Sequence, residues 1–217
     1  MRSLRRAIVS LIACISLLLA SCGPHRCPIP PRLSAQGHPI VDVRVYIATD
    51  FNERERANIV NGIMMWERAT NGLVTWQLLS YDPSHPPKKP IGKHDGVEER
   101  SVLFRRAMSD DEWVKKWDEE HKPKTLLGLC QGDSLKELTW LWLVENRLST
   151  PFAETIIASH EFGHAIGLDH IEDKASVMSE YHNSTVKCLT AHDLNEFCKK
   201  HGCDPHLALP VCKPESG

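Results

Sequence analysis

Residues 160–170 read HEFGHAIGLDH, and this stretch determines most of what the sequence predicts. His160 and His164 are four residues apart, so one face of a helix presents both imidazoles to a common point. Glu161 is rotated by about 100° from His160 around that helix. This offset suits a residue that deprotonates a metal-activated water better than it suits a third metal ligand.

Thr150 and Pro151 predict the start of this helix, with threonine as the cap and proline in the first turn. Gly167 ends the helix and tolerates the backbone angles of a sharp turn, which brings His170 round as a third ligand. Three neutral imidazoles with one exchangeable position are typical of a catalytic rather than a structural Zn²⁺. The apolar face of the helix is predicted to comprise Phe152, Ile156 and Ile157.

The pattern HExxHxxGxxH resembles the zinc motif of the metzincins at all five fixed positions. Met178, in the sequence Ala175–Met178, resembles the Met-turn of that family, and its short distance from His170 is similar to the matrixin branch. The resemblance implies a zinc metalloendopeptidase with one catalytic Zn²⁺, Glu161 as general base and a protein or peptide substrate. It also implies an α/β (α+β) fold, with a twisted mixed sheet and two long helices in an upper subdomain and a small irregular C-terminal subdomain.

Two further segments bear on the resemblance to the matrixins. The sequence Leu189–Asp193 resembles the start of the last helix of the family, with Thr190 as its cap, although His192 replaces a common aspartate. The segment around Cys27 resembles the cysteine-switch segment of the family only weakly. Cys27 either binds the zinc as a thiolate or forms a disulfide. Structural Ca²⁺ is not readable from the sequence, because backbone carbonyl ligands leave no signature.

Hydrophobic periodicity predicts alternating strands and helices upstream of the motif. A helix capped by Asn52 follows the first strand and runs to Thr70. The resemblance implies that an edge strand holds an extended substrate across the cleft, and Leu138–Glu145 is the candidate for a strand near that cleft. Strands are predicted at 41–47, 73–79, 102–104, 125–130 and 138–144, a loop at 81–96, and a charged helix at 110–120.

The N-terminus carries the features of an export signal. Arginines precede an apolar run at Ala7–Ala20 that is too short to span a bilayer. The run ends in Leu19–Cys22, which resembles a lipobox, so Cys22 is the predicted lipidation site. The alternative is that this segment is an ordinary signal peptide and the protein is secreted without a lipid. The predicted location is a bacterial membrane surface, the outer membrane where one is present.

The predicted organisation has four parts: a signal peptide at 1–21, a lipidated Pro-rich tether at 22–39, a zinc metalloprotease domain at 40–200 and a Cys-containing tail at 201–217. The chain has eight cysteines, of which Cys14 lies in the signal and Cys22 is the lipid site. Three disulfides are expected among the rest in an exported protein. These candidates are Cys27, Cys130, Cys188, Cys198, Cys203 and Cys212.

Composition excludes several classes of protein. The hydrophobic fraction is 41% and the charged fraction 25%, as in ordinary globular proteins. The formal net charge is −2, which gives no basic patch for nucleic acid. Two alternatives to a general endopeptidase stay open: a hydrolase of cell-wall peptide crosslinks, and a zinc-stabilised binding lipoprotein without catalysis.

Overall fold

The computed structural model describes residues 40–207, apart from positions 86, 88, 91, 95, 134, 135, 183 and 184. The signal peptide, the tether and the cysteines at 22, 27 and 212 lie outside the described residues, so the expectations about them stay predictions. Within the described part, no helix is both long enough and apolar enough to cross a membrane.

Six strands form one mixed sheet in the order β2-β1-β4-β6-β5, and β3 pairs with the start of β4 as a hairpin. The strands β1, β2, β4 and β6 run parallel, whereas β5 is antiparallel to β6. Their bounds are β1 Val41–Ile47, β2 Val74–Leu79, β3 Gly92–His94, β4 Val97–Ala107, β5 Gly128–Gln131 and β6 Thr139–Val144.

The described residues include four α-helices: α1 Glu53–Ala69, α2 Glu112–Glu120, α3 Pro151–Ala165 and α4 Ala191–His201. Short 3₁₀ turns follow β6 at Glu145–Arg147 and α4 at Pro205–Leu207. The mixed sheet with two long helices, α1 and α3, confirms the predicted α/β fold class.

The two long helices pack directly on each other. Asn52 caps α1 through a capping box with Glu55, as its sequence predicts. Gly62 permits the close approach, because a Cβ there would stand 2.6 Å from the carbonyl oxygen of Thr155. The indole Nε1 of Trp66 donates a hydrogen bond of 2.8 Å to the carbonyl of Ser159, deep in the interface. The core between these helices and the sheet includes Val43, Val45, Ile59, Ile63, Trp66, Phe104, Leu141, Leu143 and Phe162.

The strand predicted near the cleft at Leu138–Glu145 forms as β6, but its neighbour β5, not β6, lines the cleft. The strand β6 lies inside the sheet between β4 and β5, and the short β5 is the edge. The reason is visible in the side chains of β6: Leu141 and Leu143 are fully buried on one face, while Trp140 and Trp142 are half-buried on the other. A strand with apolar residues on both faces is typical of a sheet interior.

Some other predicted boundaries also differ from those in the structure. The strand predicted at 102–104 extends over the whole of β4, because β1, β3 and β6 all pair with it. The predicted loop at 81–96 contains β3. Phe152 is 42% exposed instead of facing the core, since the first turn of α3 buries Glu154 in its place.

The cysteines divide into bonded and free. Cys198 and Cys203 form a disulfide across the end of α4, where Gly202 adopts a left-handed conformation. Cys188 is also disulfide-bonded. The expectation that Cys130 is disulfide-bonded is wrong: its thiol is free, since the other cysteines within the described residues are all bonded already.

Candidate metal centre

The helix α3 and the turn after it carry the three histidines of the motif. The hydroxyl of Thr150 accepts the hydrogen bond of the Ala153 amide and caps the helix, as predicted. The helix ends at Ala165 with Ile166 as its C-cap, and Gly167 then takes a φ of +102°, a conformation that side-chain-bearing residues rarely adopt. The turn reverses the chain and brings His170 beside the two histidines of the helix.

The ring nitrogens converge on one point. The Nε2 atoms of His160 and His164 are 3.0 Å apart, and those of His164 and His170 are 3.3 Å apart. One ligand atom from each of the three rings lies within 4.8 Å of the others. Two nitrogens on a tetrahedral zinc stand about 3.3 Å from each other, given Zn–N bonds of about 2.0–2.1 Å. The donor set therefore fits Zn²⁺.

The opposite ring nitrogens are held by the backbone. Nδ1 of His160 donates to the carbonyl of Val177 at 2.7 Å, and Nδ1 of His164 donates to the carbonyl of Leu168 at 2.8 Å. Each bond fixes the tautomer whose Nε2 carries a lone pair. Burial, and then the neighbouring His164, lower the pKa of His160 to about 3, and burial also lowers the pKa of His164. Neutral rings with converging lone pairs are the state a metal ion requires.

Glu161 lies in the same turn of α3 and is only 4% exposed. Burial raises the pKa of its carboxyl to about 8. The edge strand leaves room for this side chain at Gly128, where a Cβ would stand 2.4 Å from Oε1 of Glu161. Gly128 is a site residue that sequence reasoning missed, because nothing in the local pattern shows that a carboxylate from another element fills its place.

Comparison with known proteins bears on the segment that carries these residues. The matrixin family model matches residues 109–200, which extend from just before α2 to the end of α4. Over this segment the chain is similar to the matrixins. The match and the triad of histidines together support a zinc metalloprotease. The strands β1 to β4 and the helix α1 lie outside the matched segment.

Two solved structures resemble this chain at low sequence identity. High choriolytic enzyme 1, a hatching-enzyme zinc-protease of the medaka fish Oryzias latipes, is 11% identical, with a TM-score of 0.42 over 75% of this chain and 90% of that one. Metalloproteinase-II from Bacteroides fragilis is 14% identical, with a TM-score of 0.45 over 78% of this chain and 55% of that one. Among curated proteins, none matches the sequence.

Met178 lies fully buried against α3, the helix that carries His160 and His164. Its carbonyl accepts the amide of Ile171, which ties the turn to the residue after His170. Gly163 makes the packing possible, because a Cβ there would stand 2.3 Å from the Met178 sulfur and 2.9 Å from Trp66. The side chain of Met178 therefore packs against the segment of α3 between His160 and His164.

Asp193, in the last helix α4, forms hydrogen bonds with the turn that contains Met178. Its carboxylate, fully buried, accepts the Ser176 hydroxyl at 2.5 Å and the Met178 amide at 3.2 Å. It also accepts the amide and hydroxyl of Thr190, which completes the capping box of α4. The sequence predicts the cap but not the link to the Met-turn. His192 makes a different contact, with its Nδ1 3.5 Å from a carboxylate oxygen of Asp173.

The C-terminal end of α3 accepts hydrogen bonds from one residue of the sheet and one residue of α4. The Arg100 guanidinium, almost fully buried, donates to the carbonyl of Ala165 at 2.8 Å, and Nε2 of His201 donates to that of Ile166 at 2.9 Å. These donors satisfy carbonyls that a helix leaves open at its C-terminus. Neither residue has a sequence signal for this role, because the partners are distant along the chain.

The metal centre opens into a cleft of about 560 Å³. Its lining includes all three histidines, Glu161 and the segment from Lys124 to Cys130. Burial, followed by the charge of Glu161, raises the pKa of the Cys130 thiol to about 12, so this cysteine stays protonated. A zinc-binding triad, a carboxyl group and an edge strand thus share one accessible space.

Proposed function

We propose that the protein is a zinc-dependent metalloendopeptidase that hydrolyses peptide bonds in proteins or peptides. One observation carries the proposal: the three Nε2 atoms converge in a cleft that Glu161 also lines. A structural zinc site is closed by protein ligands, whereas this triad leaves a position open for water or substrate. The carboxyl group beside it supplies the acid–base function that peptide hydrolysis requires.

His160, His164 and His170 would hold the metal. When bound, zinc supplies Lewis acidity toward a water and a peptide carbonyl in the cleft, and its charge favours the ionised form of Glu161. A carboxylate oxygen of Glu161 accepts the proton of the attacking water and then delivers it to the nitrogen of the leaving amine. The backbone bonds of the histidines to Val177 and Leu168 keep the rings aligned through these transfers.

The edge strand β5 is the surface proposed to hold the substrate. It pairs on one side with β6, and residues 127–130 line the cleft. An extended peptide that adds to this edge gains main-chain hydrogen bonds and passes over the metal centre. This arrangement favours an endopeptidase, because the strand binds peptide backbone rather than a chain terminus.

We also propose that the protein is exported and anchored to a bacterial membrane through a lipid on Cys22. The support is the apolar run at Ala7–Ala20 followed by the lipobox-like Leu19–Cys22. Cys22→Ala is expected to move the protein from the membrane fraction to the soluble fraction. Unchanged membrane association in that variant would show that the lipid anchor is wrong.

The activity is tested with a diverse peptide library and the mature protein loaded with zinc. Cleavage at internal bonds, abolished by a zinc chelator and restored by added zinc, is the expected result. Mapping the cut sites gives the side-chain preference around the scissile bond in the same experiment. A folded, zinc-loaded sample that cuts no peptide in the library would contradict the proposal and favour a zinc-stabilised binding protein.

A further inference from the structure

Two chain segments far apart in sequence line the cleft. Residues 124–130, here called the upper wall, lead into β5 and include its first three residues, and residues 179–182, the lower wall, follow Met178. Both walls share the cleft with His170. A substrate that lies along β5 over the histidines therefore shares this cleft with both walls.

One ion pair joins the two walls. The ammonium group of Lys124 contacts Oε1 of Glu180 directly, although the two residues are 56 positions apart in the chain. The Lys124 nitrogen also lies 5.8 Å from the ring centroid of Tyr181, which is 59% exposed. The side chains of the pair are 39% and 40% exposed, so water reaches the contact.

Both partners stay charged at neutral pH. The hydrogen bond between them raises the pKa of Lys124 and lowers the pKa of Glu180. An ion pair with this exposure is weak, because water screens the charges and the long side chains lose rotamer freedom. Thermal motion therefore opens and closes the contact.

We propose that the Lys124–Glu180 pair is a clasp that narrows the cleft and makes the enzyme prefer flexible peptide segments over loops of folded proteins. The proposal rests on the proposed peptidase function. A flexible segment threads between the walls while the clasp re-forms around it. A loop held by a folded body is thicker, so it binds only while the clasp is open. Lys124 and Glu180 are thus specificity-determining residues rather than catalytic ones.

The test compares two substrates with one cleavage sequence, a short fluorogenic peptide and the same sequence placed in the loop of a folded carrier. For each enzyme the measurement is the ratio of kcat/KM on the loop to kcat/KM on the peptide. K124A and E180A are each expected to raise this ratio about two- to fivefold, the effect of one exposed ion pair. The charge-swapped double variant K124E/E180K is expected to restore the wild-type ratio.

A matched control is K116A, which removes an exposed ion pair of Lys116 with Glu120 on α2, outside the cleft lining. Its ratio is expected to equal that of the wild type. If K124A and E180A leave the ratio unchanged, or if the charge swap fails to restore it, the clasp has no role in specificity.

A second readout needs no activity. Hydrogen–deuterium exchange of residues 179–182 is expected to be about two- to fivefold faster in K124A than in the wild type, and to return to the wild-type rate in K124E/E180K. Equal exchange rates of residues 179–182 in the three proteins would contradict the proposed clasp, even if none of the proteins cut a substrate. Absence of cleavage together with altered exchange would instead overturn the proposed peptidase function alone.

Discussion

Gly163 and Met178 are packed so closely that a Cβ atom at position 163 would stand 2.3 Å from the Met178 sulfur. The same Cβ would stand 2.9 Å from Trp66 on α1. The space at Gly163 is therefore filled by the Met-turn and by the neighbouring helix. This contact joins α3, which carries His160 and His164, to the Met-turn and to α1.

Gly163→Ala is expected to lower the free energy of unfolding by about 1–3 kcal/mol, because the added methyl group overlaps well-packed atoms. Urea denaturation of the wild type and the variant measures the difference. In a Met178→Ala background the methyl group has room, so the double variant should lose less than the sum of the two single losses. Strictly additive losses would show that the two residues do not compete for the same space.

Gly128→Ala is expected to reduce activity while leaving zinc binding intact. The added Cβ displaces the Glu161 carboxylate, the flexible end of a side chain, rather than the backbone. A displaced general base lowers kcat by about ten- to a hundredfold. The measurement is kcat beside zinc content by metal analysis, with Gln131→Ala, an exposed residue of the same strand, as control. Loss of zinc in Gly128→Ala would instead indicate that the whole site is disturbed.

Asp193→Ala is expected to lower the free energy of unfolding by about 3 kcal/mol or more, because it leaves buried donors in both the Met-turn and the cap of α4 without an acceptor. Thermal or urea unfolding measures the loss. Asp204→Ala is a suitable control, since Asp204 accepts one amide in an exposed turn. Equal losses in the two variants would contradict the role assigned to Asp193.

Glu145 makes stability depend on pH. It is buried beside Glu154 and Glu55, and one oxygen of Glu145 has no hydrogen-bond partner within the described residues. Burial, and then these two carboxylates, raise the pKa of Glu145 from an ordinary 4.5 to about 7. Because the folded-state pKa lies above the unfolded one, the protonated group stabilises the fold fully below pH 4.5, and this contribution is lost as the pH rises through 7.

Glu145→Gln is therefore expected to raise the free energy of unfolding at pH 8 by about 1 kcal/mol, because the amide is neutral at every pH and removes the buried charge. At pH 4.5 the variant and the wild type should have nearly equal stability. Glu120→Gln, on the exposed face of α2, is the control and should show no such dependence. An equal gain at both pH values would rule out the titration of Glu145 as the cause.

Local signals in the sequence predict the helix, the turn and the convergence of the three histidines. The i, i+4 spacing, the cap at Thr150 and the glycine at 167 each act within a few residues, so no knowledge of distant contacts is needed. The same holds for the capping boxes of α1 and α4.

Features that depend on distant parts of the chain are not readable in this way. The apolar pattern of β6 suits either an edge or an interior strand until its partners are known, so the pattern alone does not show that β5 is the edge. The free state of Cys130 depends on which cysteines lie within bonding distance in space. The contact of Gly128 with Glu161 and the link of Asp193 to the Met-turn likewise join elements that are far apart in sequence.

The most direct test of the account replaces Glu161 and measures metal and catalysis on the same sample. Glu161→Gln keeps the size of the side chain and leaves His160, His164 and His170 in place. The variant is expected to fold, to bind as much zinc as the wild type and to cleave peptides at least about a hundredfold more slowly. Cleavage at the wild-type rate in a zinc-loaded Glu161→Gln variant would contradict the assignment of Glu161 as the general base.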